Sequence, residues 1–175
     1  MTRNDFYSII DQMIHAKDTD FEEIKSIFKQ HKEWFGFIRT DYIQRTLMNN
    51  AEKFNYKSLF NVKHISNNLS ILEDDVVITY SINRRAHKIG DVNTFKGDCI
   101  LHQIGSKNRN GSASRMLQKF FEEHKRVFLS VQKNNDIAKK FYERNNMKLV
   151  GNTTFSKGTM LGDVYFYDGV DGIFE

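Results

Sequence analysis

The stretch Asn134–Gly151, NNDIAKKFYERNNMKLVG, decides how this chain is read. At 3.6 residues per turn, Asn135, Ala138 and Tyr142 fall on one stripe of a helix, and Ile137 and Phe141 on a neighbouring apolar stripe. The spacing predicts a helix with two jobs. The Ile137/Phe141 stripe packs against a core, and the other stripe holds something against the gap left by the small Ala138.

Strand signals lie on both sides of this helix. RVFLSVQ (126–132) precedes it, and MKLVGNTTF (147–155) and GDVYFYD (162–168) follow it. Upstream, DCILHQIG (98–105) reads as a strand, SKNRNG (106–111) as a loop, and SASRMLQKFFEEHK (112–125) as a helix with Met116, Leu117, Phe120 and Phe121 apolar. Strand, helix and strand in that order form a βαβ unit, whose crossover makes the two strands parallel and the connection right-handed. Earlier still, NLSILEDDVVITYSI (68–82) places two β-rich runs around Glu73–Asp74–Asp75, as a hairpin does, and Asn83–Lys96 reads as loop.

The first third reads as helices. Phe6, Ile9, Ile10, Met13 and Ile14 keep helical spacing, Asp20 with Glu23 makes a capping box ahead of Phe21, Ile24, Ile27 and Phe28, and a third helix runs from about Asp41 to Asn49 with Tyr42, Ile43 and Leu47 inward. The fold class is α/β with a mixed sheet and flanking helices. The chain is one domain (1–175), with a mainly helical segment at 1–60 and the sheet at 68–170.

Composition narrows the classes. Of 175 residues, 39% are hydrophobic and 27% charged, which excludes an unfolded chain, and no apolar run approaches the roughly 18 residues of a spanning helix. With no leader-like N-terminus either, a cytoplasmic protein without membrane attachment is expected. The single Cys99 excludes an internal disulfide, and the six scattered histidines lack ligand spacing, so no metal is expected. A net charge of +4 and a pI near 9.1 suit an anionic small ligand and leave nucleic acid open as a partner.

In a βαβ unit the turn after the first strand delivers the chain to a helix N-terminus, where unpaired N–H groups and the helix dipole attract anions. Here that turn is SKNRNGSAS (106–114). Gly111 allows a close backbone approach, Ser112, Ala113 and Ser114 are small, and Lys107, Arg109 and Arg115 add positive charge, so a pyrophosphate would fit. A Gly-Ser turn that merely caps the helix is the other reading. The loop is neither a P-loop nor a dinucleotide fingerprint, because both spacings are absent.

Taken together, the loop and the helix resemble the GNAT superfamily of acyl-CoA-dependent N-acyltransferases. The family's loop pattern is matched by Asn108, Gly111 and Ala113 in NRNGSA, with Asn108 where Arg or Gln is usual and Arg109 one place along. Its helix signature is matched by Asn135, Ala138, Phe141, Tyr142 and Glu143. The resemblance extends from about Asp98 to Tyr167.

This resemblance implies a sheet whose two parallel central strands splay to admit the pantetheine arm of acetyl-CoA, the co-substrate. Backbone groups near Gln103, Ile104 and Gly105 contact pantetheine, the diphosphate rests on amides of Arg109, Asn110, Gly111, Ser112, Ala113 and Ser114 beside Asn108, and Asn135, Ala138 and Phe141 complete the cofactor-binding set. Acyl transfer is direct, which makes Cys99 a core residue rather than a nucleophile. Tyr142 becomes the proton donor to the departing thiolate; His102, on the strand expected to line the cleft, is the candidate base or else a structural histidine, and Asp98 at the start of that strand is the second choice.

The acceptor is an amine on a small molecule or protein, with a nucleic-acid base as an alternative, and a homodimer is left open. A non-catalytic acyl-CoA-binding module is the third reading. The segment HKEWFGFIRTDY (31–42) belongs to the acceptor side, where Trp34, Phe35 and Phe37 between Lys32 and Arg39 either stack on a nucleotide or form a helix junction.

Overall fold

A computed structural model describes residues 13–54 and 67–169. The described chain contains a 3₁₀ turn (Asp18–Asp20), helices α1 (Phe21–Gln30), α2 (Lys32–Phe35) and α3 (Thr40–Phe54), and strands β1 (Leu69–Glu73), β2 (Val76–Ile82), β3 (His87–Ile89), β4 (Val92–Thr94) and β5 (Cys99–Ser106). Helix α4 (Ser112–Glu123), strand β6 (Arg126–Gln132), helix α5 (Asp136–Arg144) and strands β7 (Lys148–Phe155) and β8 (Met160–Asp168) follow. Six strands form a sheet in the order β1-β2-β5-β6-β8-β7, and β3 and β4 make a separate two-stranded ribbon. This is the mixed sheet with flanking helices that the sequence predicts.

Two compact units share the chain: Met1–Thr79 with Gln103–Glu123, and Tyr80–His102 with His124–Glu175. The first unit is built on α1. Ile24, Ile27 and Phe28 recur at helical spacing and are buried with Ala16, Ile43, Leu47 and Val77. Each large apolar side chain so buried contributes roughly 1.5–3 kcal/mol relative to exposure. Buried Asn50 on α3 donates to the Ala16 and Ser70 carbonyls (2.8 and 2.7 Å) and accepts from Ser70 N–H (3.1 Å), tying the incoming chain to β1. The β1–β2 hairpin turns on Asp74 and Asp75, both in the left-handed region (φ 53° and 60°) that two-residue hairpin loops require and Asp tolerates. Helix α4 buries Met116, Leu117, Phe120 and Phe121, the apolar set read from its periodicity.

In the second unit, β5 runs parallel to β6 and β6 antiparallel to β8, with β7 antiparallel to β8 at the edge. The β5–β6 ladder covers only two pairs, Cys99↔Val127 and Ile100↔Phe128. Cys99 is 1% exposed and belongs to the core.

Several expectations are corrected. The helix over Phe6–Ile14 lies mostly outside the described residues, and at its end Ile14 is non-helical and His15 bridges to Ile71 instead. The capping box is not formed: the Asp20 carboxylate accepts from Lys17 N–H (2.9 Å) and closes the 3₁₀ turn, leaving α1 without a side-chain cap. Helix α3 extends to Phe54, past the expected end at Asn49. Asn83–Lys96 is not a loop throughout, because it holds β3 and β4, whose Ile89 and Val92 pack against Ile100, Phe128 and Val164. Asp91 fastens this ribbon to β7, donating N–H to the Asn152 carbonyl (3.1 Å) and accepting Asn152 N–H on its Oδ1 (2.8 Å).

Candidate active site

The sequence-predicted residues fall in both units. In the first unit the loop after β5 is exposed from Lys107 to Gly111 and is pinned at both ends. His31 donates from Nε2 to the Ser106 carbonyl (2.7 Å) and Gln30 to the Lys107 carbonyl (3.0 Å), while Lys107 N–H donates to the Asp75 carbonyl (2.9 Å). Asn108 donates from its side chain to Asp75 Oδ2 (3.1 Å). Ser106 Oγ bridges the Asn108 carbonyl (2.7 Å) and Ser112 Oγ (3.1 Å), which folds the loop back on itself.

Gly111 has φ +83°, a conformation that side chains rarely adopt, and it delivers the chain into α4. Asn110 Oδ1 accepts Ser112 N–H (3.2 Å), so one of the four helix-opening amides is already satisfied. Arg115 is engaged by Asp74 Oδ2 and the Asn110 carbonyl (3.1 and 3.2 Å), whereas Lys107 and Arg109 have no acidic partner among the described residues. The loop is thus a rigid, exposed turn at a helix N-terminus with two uncommitted cations. Its anchoring by the hairpin turn Asp74–Asp75, 33 residues before Asn108, carries no signal in the loop itself.

Gly105 has a packing reason. A Cβ there would sit 3.2 Å from Ile27 Cγ2 and 3.4 Å from Phe35 Cε2, so α1 and α2 lie directly on the β5 backbone. Ile104 is half-buried beside it. Gln103 carries more than a backbone contact: its Oε1 accepts from Tyr42 Oη (2.8 Å) and from Thr79 Oγ1, and Tyr42 accepts from Asn68 Nδ2 (3.1 Å). Burial raises the Tyr42 pKa above its ordinary value, against the lowering effect of its Thr79 and Asn68 bonds and the Arg45 charge. This four-residue cluster was not read from the sequence.

Aromatic residues of 31–42 divide between two environments. Phe35 packs edge-on against Phe28 (5.3 Å between centroids), as a helix junction does, while Phe37 is 67% exposed.

In the second unit the two faces of α5 are exchanged relative to the expectation. Ile137 is 81% exposed and Tyr142 only 8%, so the stripe expected to be open carries the buried residue. The reason lies on β8. Tyr165, fully buried, donates to Glu143 Oε1 (2.7 Å), and Lys139 Nζ pairs with buried Asp163 Oδ2 (2.8 Å), two polar anchors that rotate the Tyr142 side inward. The bond to Asp163 raises the Lys139 pKa, and burial followed by the Glu143 bond raises that of Tyr165.

Asn135 is the N-cap of α5, its Oδ1 accepting Ala138 N–H (3.2 Å), and Ala138 and Phe141 are half-buried. Burial pushes the Tyr142 pKa well above the ordinary tyrosine value, keeping the phenol protonated at any physiological pH. Its ring leans on those of Phe141 and Tyr165 (5.5 and 6.1 Å), and among the described residues its hydroxyl has no hydrogen-bond partner. The hydroxyl is not among the solvent-excluded polar atoms, so its proton faces outward from a buried ring.

His102 shares a hydrogen bond with Ser81 Oγ (2.8 Å), and burial lowers its pKa to about 4. It is neutral at pH 7 and a weak base: taking a proton from an alkylammonium near 10.4 is uphill by about six pH units. Asp98 is spent structurally, held by Arg126 (2.8 Å) and accepting Phe95 N–H (2.8 Å). Among the described residues no three His, Cys, Asp or Glu side chains gather as a metal would require, and no helix is long and apolar enough to cross a membrane.

No family model matches the chain, and no curated protein does. Solved structures do. Arabidopsis thaliana NAA60 in complex with acetyl-CoA matches with a TM-score of 0.61 at 11% identity, over 89% of this chain and 97% of that one. A GNAT-family acetyltransferase from Bacillus cereus matches with 0.59 at 17%, over 91% and 97%. The aminoglycoside N(6′)-acetyltransferase of Legionella pneumophila matches with 0.60 at 13%, over 91% and 92%. Strand order, the loop after β5 and the placement of α5 thus converge with these comparisons on one conclusion: the chain has the GNAT acetyltransferase fold.

Proposed function

We propose that the protein is an N-acyltransferase that moves an acetyl group from acetyl-CoA directly to an amine. The observation that carries this reading is Tyr142, its ring buried and its hydroxyl protonated, solvent-accessible and without a protein partner among the described residues, on the helix whose sequence resembles the GNAT signature. Acetyl-CoA supplies an activated thioester whose thiolate is the leaving group.

The residues present fit such a co-substrate. The rigid turn Asn108–Ser114, with Lys107 and Arg109 uncommitted, offers amides and positive charge to a diphosphate. The resemblance assigns the backbone groups of Gln103 to Gly105 to the amides of a pantetheine arm. Tyr142 donates its hydrogen bond to the sulfur as negative charge develops there, a contribution of about 10²- to 10⁴-fold for positioned donors. Asn135, its Oδ1 held by the helix, keeps its Nδ2 side for the cofactor. Buried Cys99 takes no part.

A His102 near 4 accepts a proton only from an amine that arrives largely neutral. Acceptors of low amine pKa are therefore favoured. The test is release of free thiol from acetyl-CoA across a panel of amines, with thermal stabilisation by CoA alone as the binding control. Amine-dependent thiol release is expected. CoA stabilisation without release across the panel would support a binding module instead, and the absence of both would remove the cofactor.

A further inference from the structure

The chain between β2 and β5 carries most of the molecule's excess charge. Residues 83–97 set Arg84, Arg85, Lys88 and Lys96 against the single carboxylate of Asp91, which leaves three net positive charges here out of +4 for the whole chain. All four cations are exposed, and none of them enters an ion pair among the described residues. Asp91 is already engaged, its Oδ1 accepting Asn152 N–H (2.8 Å). Hydrogen bonds gather these cations onto one structure. Asn83, just before the two arginines, donates from its side chain to the Phe95 carbonyl (3.1 Å) and accepts Gly97 N–H on its own carbonyl (2.9 Å). Thr94 Oγ1 donates to the His87 carbonyl (2.8 Å), and Lys88 pairs with Asn93 across the ribbon. The same bonds hold Phe95 outward. Its N–H is bound by Asp98 Oδ2 (2.8 Å) and its carbonyl by Asn83, yet the residue is 55% exposed, beside Lys96. Solvated surfaces intersperse both signs of charge, whereas a one-sign cluster around a rigidly presented aromatic fits an anionic partner with flat rings.

We propose that the β3–β4 ribbon and its flanking turns are a docking surface for single-stranded nucleic acid, with Arg84, Arg85, Lys88 and Lys96 on the phosphates and Phe95 under a base. A single strand offers a phosphate at every nucleotide and a π-face on every base, and a duplex hides those faces from such a ring. A lipid surface fits less well. Ile89 and Val92, the other large apolar side chains of the ribbon, pack against Ile100, Phe128 and Val164 and leave little to insert. The four cations and Phe95 lie outside the candidate active site, so this binding is separate from acetyl transfer.

The experiment is fluorescence anisotropy of a labelled oligouridine of about 12 nucleotides, within the span that single-strand grooves take. It is titrated with the wild-type protein, Arg84→Glu/Arg85→Glu, Lys88→Glu, Phe95→Ala and a control reversal on α1, Lys25→Glu/Lys29→Glu, whose lysines are also exposed. A thermal melt of each variant reports that it is folded. The wild-type protein is expected to bind with a slope of log K against log salt of about −3, as four contacts to single-strand phosphates give. Arg84→Glu/Arg85→Glu and Lys88→Glu weaken binding and flatten that slope, while Phe95→Ala weakens it roughly tenfold and leaves the slope unchanged. The control reversal, with the same change of net charge as the arginine pair, changes the affinity far less. Absence of binding, or an equal loss in the control, overturns the assignment. Equal affinity for the matching duplex, or a folded Phe95→Ala that binds as the wild-type protein does, overturns it as a single-strand site, and binding only to phosphatidylcholine–phosphatidylserine vesicles replaces it with a lipid surface.

Discussion

The Tyr142 ring is buried while its hydroxyl, without a protein partner among the described residues, is not among the solvent-excluded polar atoms, so a ligand can reach it. Tyr142→Phe is expected to lower kcat by about 10²- to 10⁴-fold while CoA still stabilises the protein thermally. An unchanged kcat would exclude the phenol from the chemistry. His102 gives a second prediction at this scale. Its folded-state pKa, about 4, lies below the unfolded value of 6.5, so its neutral form favours folding above pH 6.5 and that stability is lost as pH falls toward 4. Denaturant midpoints should drop over that window, and His102→Gln should flatten the drop; identical pH profiles would mean that His102 is not desolvated. Tyr142 could be picked out of the sequence because its spacing from Asn135 and Ala138 is local. What Asp98 does could not, since its partner Arg126 lies 28 residues away.

At the scale of elements, α5 shows where local pattern stops being informative. Periodicity finds a helix, but which stripe faces inward depends on Asp163 and Tyr165 of β8, which hold Lys139 and Glu143. The ribbon β3–β4 escaped for another reason: strands of three residues are too short to display alternation, and their apolar members Ile89 and Val92 flank a turn. By contrast α4 and the strands around it declare themselves, because each is long enough to show its period. Tyr165→Phe removes one α5 anchor and should cost about 1–2 kcal/mol by chemical denaturation. Gly105→Ala forces a Cβ to 3.2 Å from Ile27 on α1, and an overpacking cost of roughly 1–3 kcal/mol is expected; a neutral change would show that α1 yields easily.

For the whole molecule, the βαβ unit carried most of what could be foreseen. Parallel pairing of β5 and β6, the loop at the start of α4, the hairpin on Asp74–Asp75 and a six-stranded mixed sheet all follow from turn chemistry and connection rules. The cluster around Gln103 does not, since Tyr42, Asn68, Thr79 and Gln103 come from four separate segments and only the folded chain gathers them. Such long-range contacts leave no local trace, whereas the loop 106–114 and the helix stripe are contiguous motifs. The most direct test of the central claim is mass spectrometry of an amine panel incubated with isotopically labelled acetyl-CoA and the purified protein. The label is expected on the acceptor amine, with no labelled adduct on the protein. Label that stays in acetyl-CoA, or that accumulates on Cys99, would contradict direct acetyl transfer.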